Sequence, residues 1–126
     1  MLFGSRSTAG LMDGRLRPCP SSPNCVCSQD EDAGHHIEPL AFSGEPSDAW
    51  NRVHDLILTQ PRTRVVSRDD HYFHVEFTTP LLRFVDDVEF LLEESASVIH
   101  IRSASRVGHS DLGANRKRLE ALRRMW

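Results

Sequence analysis

Phe84-Val-Asp-Asp-Val-Glu-Phe-Leu-Leu92 and Val98-Ile-His-Ile-Arg-Ser-Ala-Ser105, joined through Glu93-Glu-Ser-Ala96, decide the fold. Both runs are rich in β-branched and aromatic residues, so residues 82–92 and 98–105 are expected to pair as an antiparallel hairpin. With the turn centred between Glu94 and Ser95, Phe90 faces Ile99, Val88 faces Ile101 and Asp86 faces Ser103. On the other face Glu89 meets His100 and Asp87 meets Arg102, both charge-compatible neighbours. Sliding the turn by one residue changes these partners but not which residues share a face. Neighbouring strand residues point to opposite faces, so Asp86 shares its face with Phe84, Val88 and Phe90, and Asp87 does not. A carboxylate left unpaired on such a face costs several kcal/mol or takes up a proton. Ser103, Ser105, Arg106 and the backbone of residues 17–29 are the candidate partners of Asp86.

Working outward, residues 62–68 carry Thr63, Val65 and Val66, Asp69-Asp70 forms a turn, and residues 71–79 alternate Phe73, Val75 and Phe77 with Tyr72, His74 and Glu76. This is a second hairpin with one buried face. Residues 47–60 open on Ser47 after Pro46 and space Trp50, Val53, Leu56, Ile57 and Gln60 as one side of a helix that Pro61 ends. Residues 114–126 present Leu119, Leu122 and Trp126 as a narrow stripe among arginines. The expected class is α+β: an antiparallel sheet of about four strands in two hairpins, covered on one face by two helices. Residues 1–16 show no period and are expected as a loosely docked N-terminal arm, with residues 17–126 forming one globular domain.

The 126 residues, 39% hydrophobic and 26% charged, suffice for one core. Fifteen basic against 18 acidic side chains give a formal charge of −3, so no global field points to nucleic acid or an anionic membrane. The arginines of the last helix lack the interleaved aromatics of a nucleic-acid surface and are expected to pair with Glu93, Glu94 or Glu120, or to face water. No apolar run approaches the length of a membrane span, and no secretory leader is visible, so the expectation is a soluble, cytoplasmic chain unless a leader is missing.

Cys19, Cys25 and Cys27 stand at C-x5-C-x-C with His35 and His36 downstream, a spacing poorly matched to zinc knuckles, and no metal or cofactor is expected. Small buried side chains are the leading reading of the three cysteines. A Cys19–Cys25 disulfide and a nucleophilic Cys25 activated by a nearby base are the alternatives. Among the histidines, His109 is retained as a candidate because it lies in a glycine-bounded turn.

Ser103, Ser105, Arg106, Ser110, Asn115 and Arg116 form a donor-rich run entering a helix N-terminus, which favours anions. Asp111 or Asp86 is the internal competitor for that anion position.

Pro18-Cys-Pro-Ser-Ser-Pro-Asn-Cys-Val-Cys-Ser-Gln29, His36-Ile-Glu-Pro-Leu40, Phe84-Val-Asp-Asp-Val-Glu-Phe90 and the run from Arg102 to Arg118 together resemble the domain-of-unknown-function family 1499 over about residues 15–124. The resemblance implies a family found widely in bacteria and in plastid-containing organisms. It implies no established reaction or ligand. It marks Cys19, Asn24, Cys25, Ser28, Asp86, Asp87, Arg102, Ser103, Ser105, Arg106, Asp111, Asn115 and Arg116 as motif positions, with Cys27 standing where serine is expected.

The functional expectation is a binding domain in which the cysteine loop and the 102–116 turn meet in a polar pocket for a small anionic ligand or a protein partner's acidic group. Arg102, Arg106 and Arg116 neutralise charge, Ser103, Ser105 and Asn115 orient the guest, and Asp86 holds the loop. Asn24, Cys25, Ser28, His109 and Asp111 complete the candidate set. The alternatives are a hydrolase-like enzyme using Cys25 as nucleophile or Asp86 as general base with Arg102 and Arg106, and a protein-interaction module whose two segments only lock the fold.

Overall fold

The acid-bearing strand lies inside a sheet, flanked on both sides. The computed structural model describes residues 7–108 and 110–126. In chain order the elements are β1 (Leu11–Met12), β2 (Arg15–Leu16), β3 (Cys25–Cys27), β4 (Leu40–Ala41), α1 (Pro46–Leu58), β5 (Thr63–Arg68), β6 (Tyr72–Thr78), β7 (Val85–Glu93), β8 (Val98–Ser105) and α2 (Ala114–Met125). The strands of the main sheet run in the order β3-β8-β7-β6-β5, with β4 also paired to β8. All these pairings are antiparallel.

The expectation of four strands is corrected to six in the main sheet. Both expected hairpins form, and β3 and β4 add to the free edge of β8. Segments of three and two residues have no readable period; the unpaired N–H and C=O groups of an edge recruit them. The β7–β8 register is also displaced. Asp86 faces Ser105, Val88 faces Ser103 and Glu89 faces Arg102. A 3₁₀ turn at Glu94–Ala96, closed by Ser97 at φ 52°, moves the turn centre one residue on. The face assignments survive, because the side-chain period is two.

Helix α1 begins at Pro46, one residue before the expected start, where proline's missing N–H costs nothing. Its Trp50, Val53 and Ile57, with Leu119 and Leu122 of α2, pack on the sheet face carrying Phe73, Val75, Val88, Phe90, Ile99 and Ile101. Each such side chain contributes about 1.5–3 kcal/mol by leaving water. Trp50 meets Phe73 edge to face at 6.4 Å between ring centres.

The opposite face is not open. Of the loosely docked arm expected over residues 1–16, residues 1–6 lie outside the described residues and residues 7–16 lie over this face: β1 and β2 pair, and Leu16 buries against Cys27 and Leu91 with Tyr72 and Cys19 alongside. The central strands of the sheet, β7 above all, are therefore covered on both faces, while the edge strand β5 stays exposed. Among the described residues no helix is long and apolar enough to cross a membrane.

Candidate functional site

Antiparallel pairing brings three connections to one end of the sheet. Because Asp86 faces Ser105, the β6–β7 turn and the β8–α2 connection leave side by side. Because Cys25 pairs with Ala104, the end of the cysteine loop arrives there too. The two motif segments thus become neighbours. Asn24 donates from Nδ2 to the Gly108 carbonyl at 2.7 Å, and its own carbonyl accepts the Ser105 N–H at 3.0 Å.

Asn115, fully buried in the first turn of α2, is the hub of the convergence. Its Oδ1 accepts from the Ser103 hydroxyl at 2.6 Å and from Arg118 Nη1 at 2.8 Å. Its Nδ2 shares two protons among Asp111 Oδ2 at 2.7 Å, Ser105 Oγ at 2.8 Å and the Asn24 carbonyl at 3.2 Å. Asp111 also accepts from the N–H groups of Gly113 and Asn115, so it occupies the anion position of the helix N-terminus itself. Those bonds outweigh the desolvation opposing them and hold its carboxyl below the usual range.

Asp86 is 2% exposed, and its Oδ2 accepts Arg118 Nη2 at 2.7 Å. Burial pushes its carboxyl up despite Arg118 and the Ser105 hydroxyl, with Asp111 adding to the rise. The partner of Asp86 is thus a helix arginine, and Asp86 holds α2 rather than the cysteine loop. Arg106 goes to Asp87 and Glu76.

Above this network lies a cleft of about 640 Å³ between the β6–β7 turn and the β8–α2 connection, with Asp86 and Ser105 in its lining. Its walls carry four exposed large apolar side chains, Leu81, Leu82, Phe84 and Leu112; Leu81, Leu112 and Leu82 are the three most exposed of that kind among the described residues, at 93%, 85% and 71%. Leu112 stands at φ 55°, a left-handed conformation that costs a non-glycine residue about 1 kcal/mol or more. The sequence reading assigned residues 82–84 to a strand and so missed this wall. The available signal was a run of large apolar residues directly after Pro80, outside the alternation that begins at Val85.

The remaining candidates lie elsewhere. Arg102 and Arg106 project from the opposite sheet face, away from Ser103 and Ser105. Arg102 is fully buried, pairs with Glu89 at 3.2 Å and donates to Thr8 Oγ1 at 2.9 Å. Tyr72 donates its hydroxyl to Glu89 at 2.5 Å, and burial together with that carboxylate pushes the phenol well above its ordinary range. Arg106 clamps Asp87 through Nε at 2.9 Å and Nη2 at 2.8 Å, and reaches Glu76 at 2.7 Å. His74 Nε2 lies 2.7 Å from Asp87 Oδ1, the oxygen that also accepts from Arg106 Nη2. Burial alone would raise the Asp87 carboxyl, but Arg106 and His74 hold it well below the usual range. Arg116 donates to the His36 carbonyl at 2.8 Å, and Ser28 ties β3 to β8 through the Ile101 N–H at 2.8 Å. His109 lies outside the described residues.

Cys19 and Cys25 form a disulfide, and Cys27 is a buried free thiol. The reading of all three as small buried thiols is corrected for the first two, and a disulfide sulfur at Cys25 is not a thiolate nucleophile.

A family model described as "Protein of unknown function (DUF1499)" matches residues 15–125. The chain belongs to the DUF1499 family. No curated protein and no solved structure gives a significant match. In this DUF1499 domain, then, Asn24, Asp86, Ser103, Ser105, Asp111 and Asn115 gather under the cleft, Asp87, Arg102 and Arg106 lie on the opposite sheet face, and Cys19, Cys25, Ser28 and Arg116 hold the cysteine loop and its flank in place.

Proposed function

We propose that this DUF1499 domain binds a small amphipathic ligand in the cleft, its apolar body against Leu81, Leu82, Phe84 and Leu112 and a hydrogen-bond-donating head toward Asp86 and Ser105. The observation that carries this reading is the gathering of four exposed large apolar side chains around one cleft with a carboxylate in its lining. Scattered surface leucines need no explanation, but a contiguous apolar concavity with a few polar groups at its base is the usual form of a ligand site. The volume lies within the roughly 300–1,000 Å³ of small-molecule pockets.

Charge selects the head group. Asp86 and Asp111 line the cleft, Arg118 is engaged by Asp86, and Arg102 and Arg106 are engaged by Glu89, Asp87 and Glu76 on the other side of the sheet. The arginine-rich anion pocket expected from the sequence is therefore not the reading this geometry favours; an alkyl amine or alcohol suits it better than a carboxylate.

The test is displacement of Nile red fluorescence by octylamine, octanol and octanoate at pH 7. Dye binding, competition by the amine and alcohol ahead of octanoate, and loss of binding in Leu112→Asp and Leu82→Asp are expected. Unchanged dye binding in both variants would refute the site, and preference for octanoate would refute the head-group assignment.

A further inference from the structure

We propose that the Cys19–Cys25 disulfide is a redox switch for the cleft: reducing it releases Asn24 and loosens the β8–α2 wall. Its effect on affinity rests on the ligand-binding reading above; its effect on the wall does not.

The mechanical link is short. The disulfide closes a loop of sequence separation six, and Asn24, the residue before Cys25, is buried. Among the described residues, the hydrogen bonds from this loop to the cleft are those of Asn24: Nδ2 to the Gly108 carbonyl at 2.7 Å, and its carbonyl to the Ser105 N–H at 3.0 Å and Asn115 Nδ2 at 3.2 Å. Ser22 donates to Asn24 Oδ1 at 2.8 Å from within the same loop. The wall needs such a tie. Gly108 and Gly113 hold positive φ at no steric cost and so leave the backbone there free to move, while Leu112 at φ 55° is strained and relaxes once unrestrained. β3 itself offers only three residues of pairing, and Cys25 is the one nearest the cleft.

The chemistry is also laid out for reduction. Cys19 is half-buried whereas Cys25 is buried, so an external dithiol meets the Cys19 sulfur first. Its thiolate attacks Cys19 Sγ, the S–S bond breaks, and Cys25 leaves as a thiolate that takes a proton from water. The reductant's second thiol then resolves the mixed disulfide, giving two cysteine thiols and one oxidised reductant. After reduction Cys19 stays anchored, its N–H donating to Asp30 Oδ2 at 2.9 Å, and the Ser22 carbonyl stays 2.9 Å from His35 Nε2, so the span that gains freedom is Pro23 and Asn24. Cys27 does not compete: it is fully buried, and burial pushes its thiol up, keeping it protonated.

The experiment is hydrogen–deuterium exchange of the full chain, oxidised and after dithiothreitol, with Nile red titrated into both forms. Reduction is expected to speed exchange at Ser105 and residues 106–108 and 110–112 by about three- to tenfold, the equivalent of one hydrogen bond, to leave the centre of β6 and β7 unchanged, and to weaken dye binding by a similar factor. Asn24→Ala in the oxidised protein removes the bond to the Gly108 carbonyl alone and speeds exchange beyond Ser105 without reduction. Cys19→Ser/Cys25→Ser reproduces the effect of reduction without reductant. Faster exchange confined to residues 19–25 would overturn the switch, as would faster exchange throughout the sheet, which would make the disulfide a general staple. Faster exchange at the wall with no dye binding in either form would uphold the switch and refute the ligand-binding reading.

Discussion

Replacing Arg118 by methionine isolates the cost of a buried carboxylate deprived of its partner. Methionine keeps an unbranched stem against Phe77, over which the guanidinium lies at 5.1 Å, but removes the 2.7 Å bond to Asp86 and those to Asn115 and Ser103. Asp86, 2% exposed at the floor of the cleft, gains little hydration and retains the Ser105 hydroxyl. A lost charge-assisted hydrogen bond sets a floor of about 2 kcal/mol. Protonation sets the ceiling, since neutralising an aspartate of ordinary pKa about 3.9 at pH 7 costs about 4 kcal/mol. The expected destabilisation is about 3 kcal/mol at pH 7, or roughly 10 °C in Tm.

The pH dependence gives the sharper check. The folded-state carboxyl of Asp86 is already raised, so the native state holds its proton more tightly than the unfolded chain, and stability falls as pH rises through the folded value. Arg118→Met enlarges that slope. At pH 4 its deficit shrinks to about 1 kcal/mol, the residue of the neutral hydrogen bonds. Asp86→Asn/Arg118→Met removes both charges and recovers most of the loss, because a missing pair costs less than an orphaned charge. Urea unfolding of the four proteins between pH 4 and 8 measures all of this. A deficit independent of pH, or no recovery in the double variant, would refute the reasoning.

Asp87→Asn has the opposite signature. Its carboxyl is held well below the usual range, so it contributes stability above the unfolded value that is lost on acidification; the variant is expected to be less stable at pH 7 by about 3 kcal/mol and to converge with the parent toward pH 2 in acid unfolding. Asn115→Ala, which orphans groups on β8, the cysteine loop and Asp111, is expected to cost about 3 kcal/mol by denaturant unfolding, with faster amide exchange at both Asn24 and Gly113.

The chain's local periods alone determined both hairpins, both helices and the opposed faces of Asp86 and Asp87, because side-chain direction follows from backbone geometry within a strand or helix. The same alternation, carried along β8, places Arg102 and Arg106 opposite Ser103 and Ser105; the sequence contained that separation, and grouping all four in one pocket overlooked it. Family membership was likewise legible, carried by four motifs in order. Tertiary structure decided the rest. Arg118 rather than Arg106 meets Asp86 because α2 crosses that face of the sheet. Cys19 rather than Cys27 meets Cys25 because an extended strand holds alternate residues about 6.6 Å apart with parallel side chains, too far for their Cβ atoms to be bridged, while the loop folds Cys19 back to 5.6 Å between Cα atoms. Residues 7–16 and the short strands β3 and β4 gain order only from the edges and faces they cover, and the cleft exists only because antiparallel pairing delivers two connections to one end of the sheet. Periodicity is written into consecutive residues; partners distant in the chain are chosen by which surfaces meet in space.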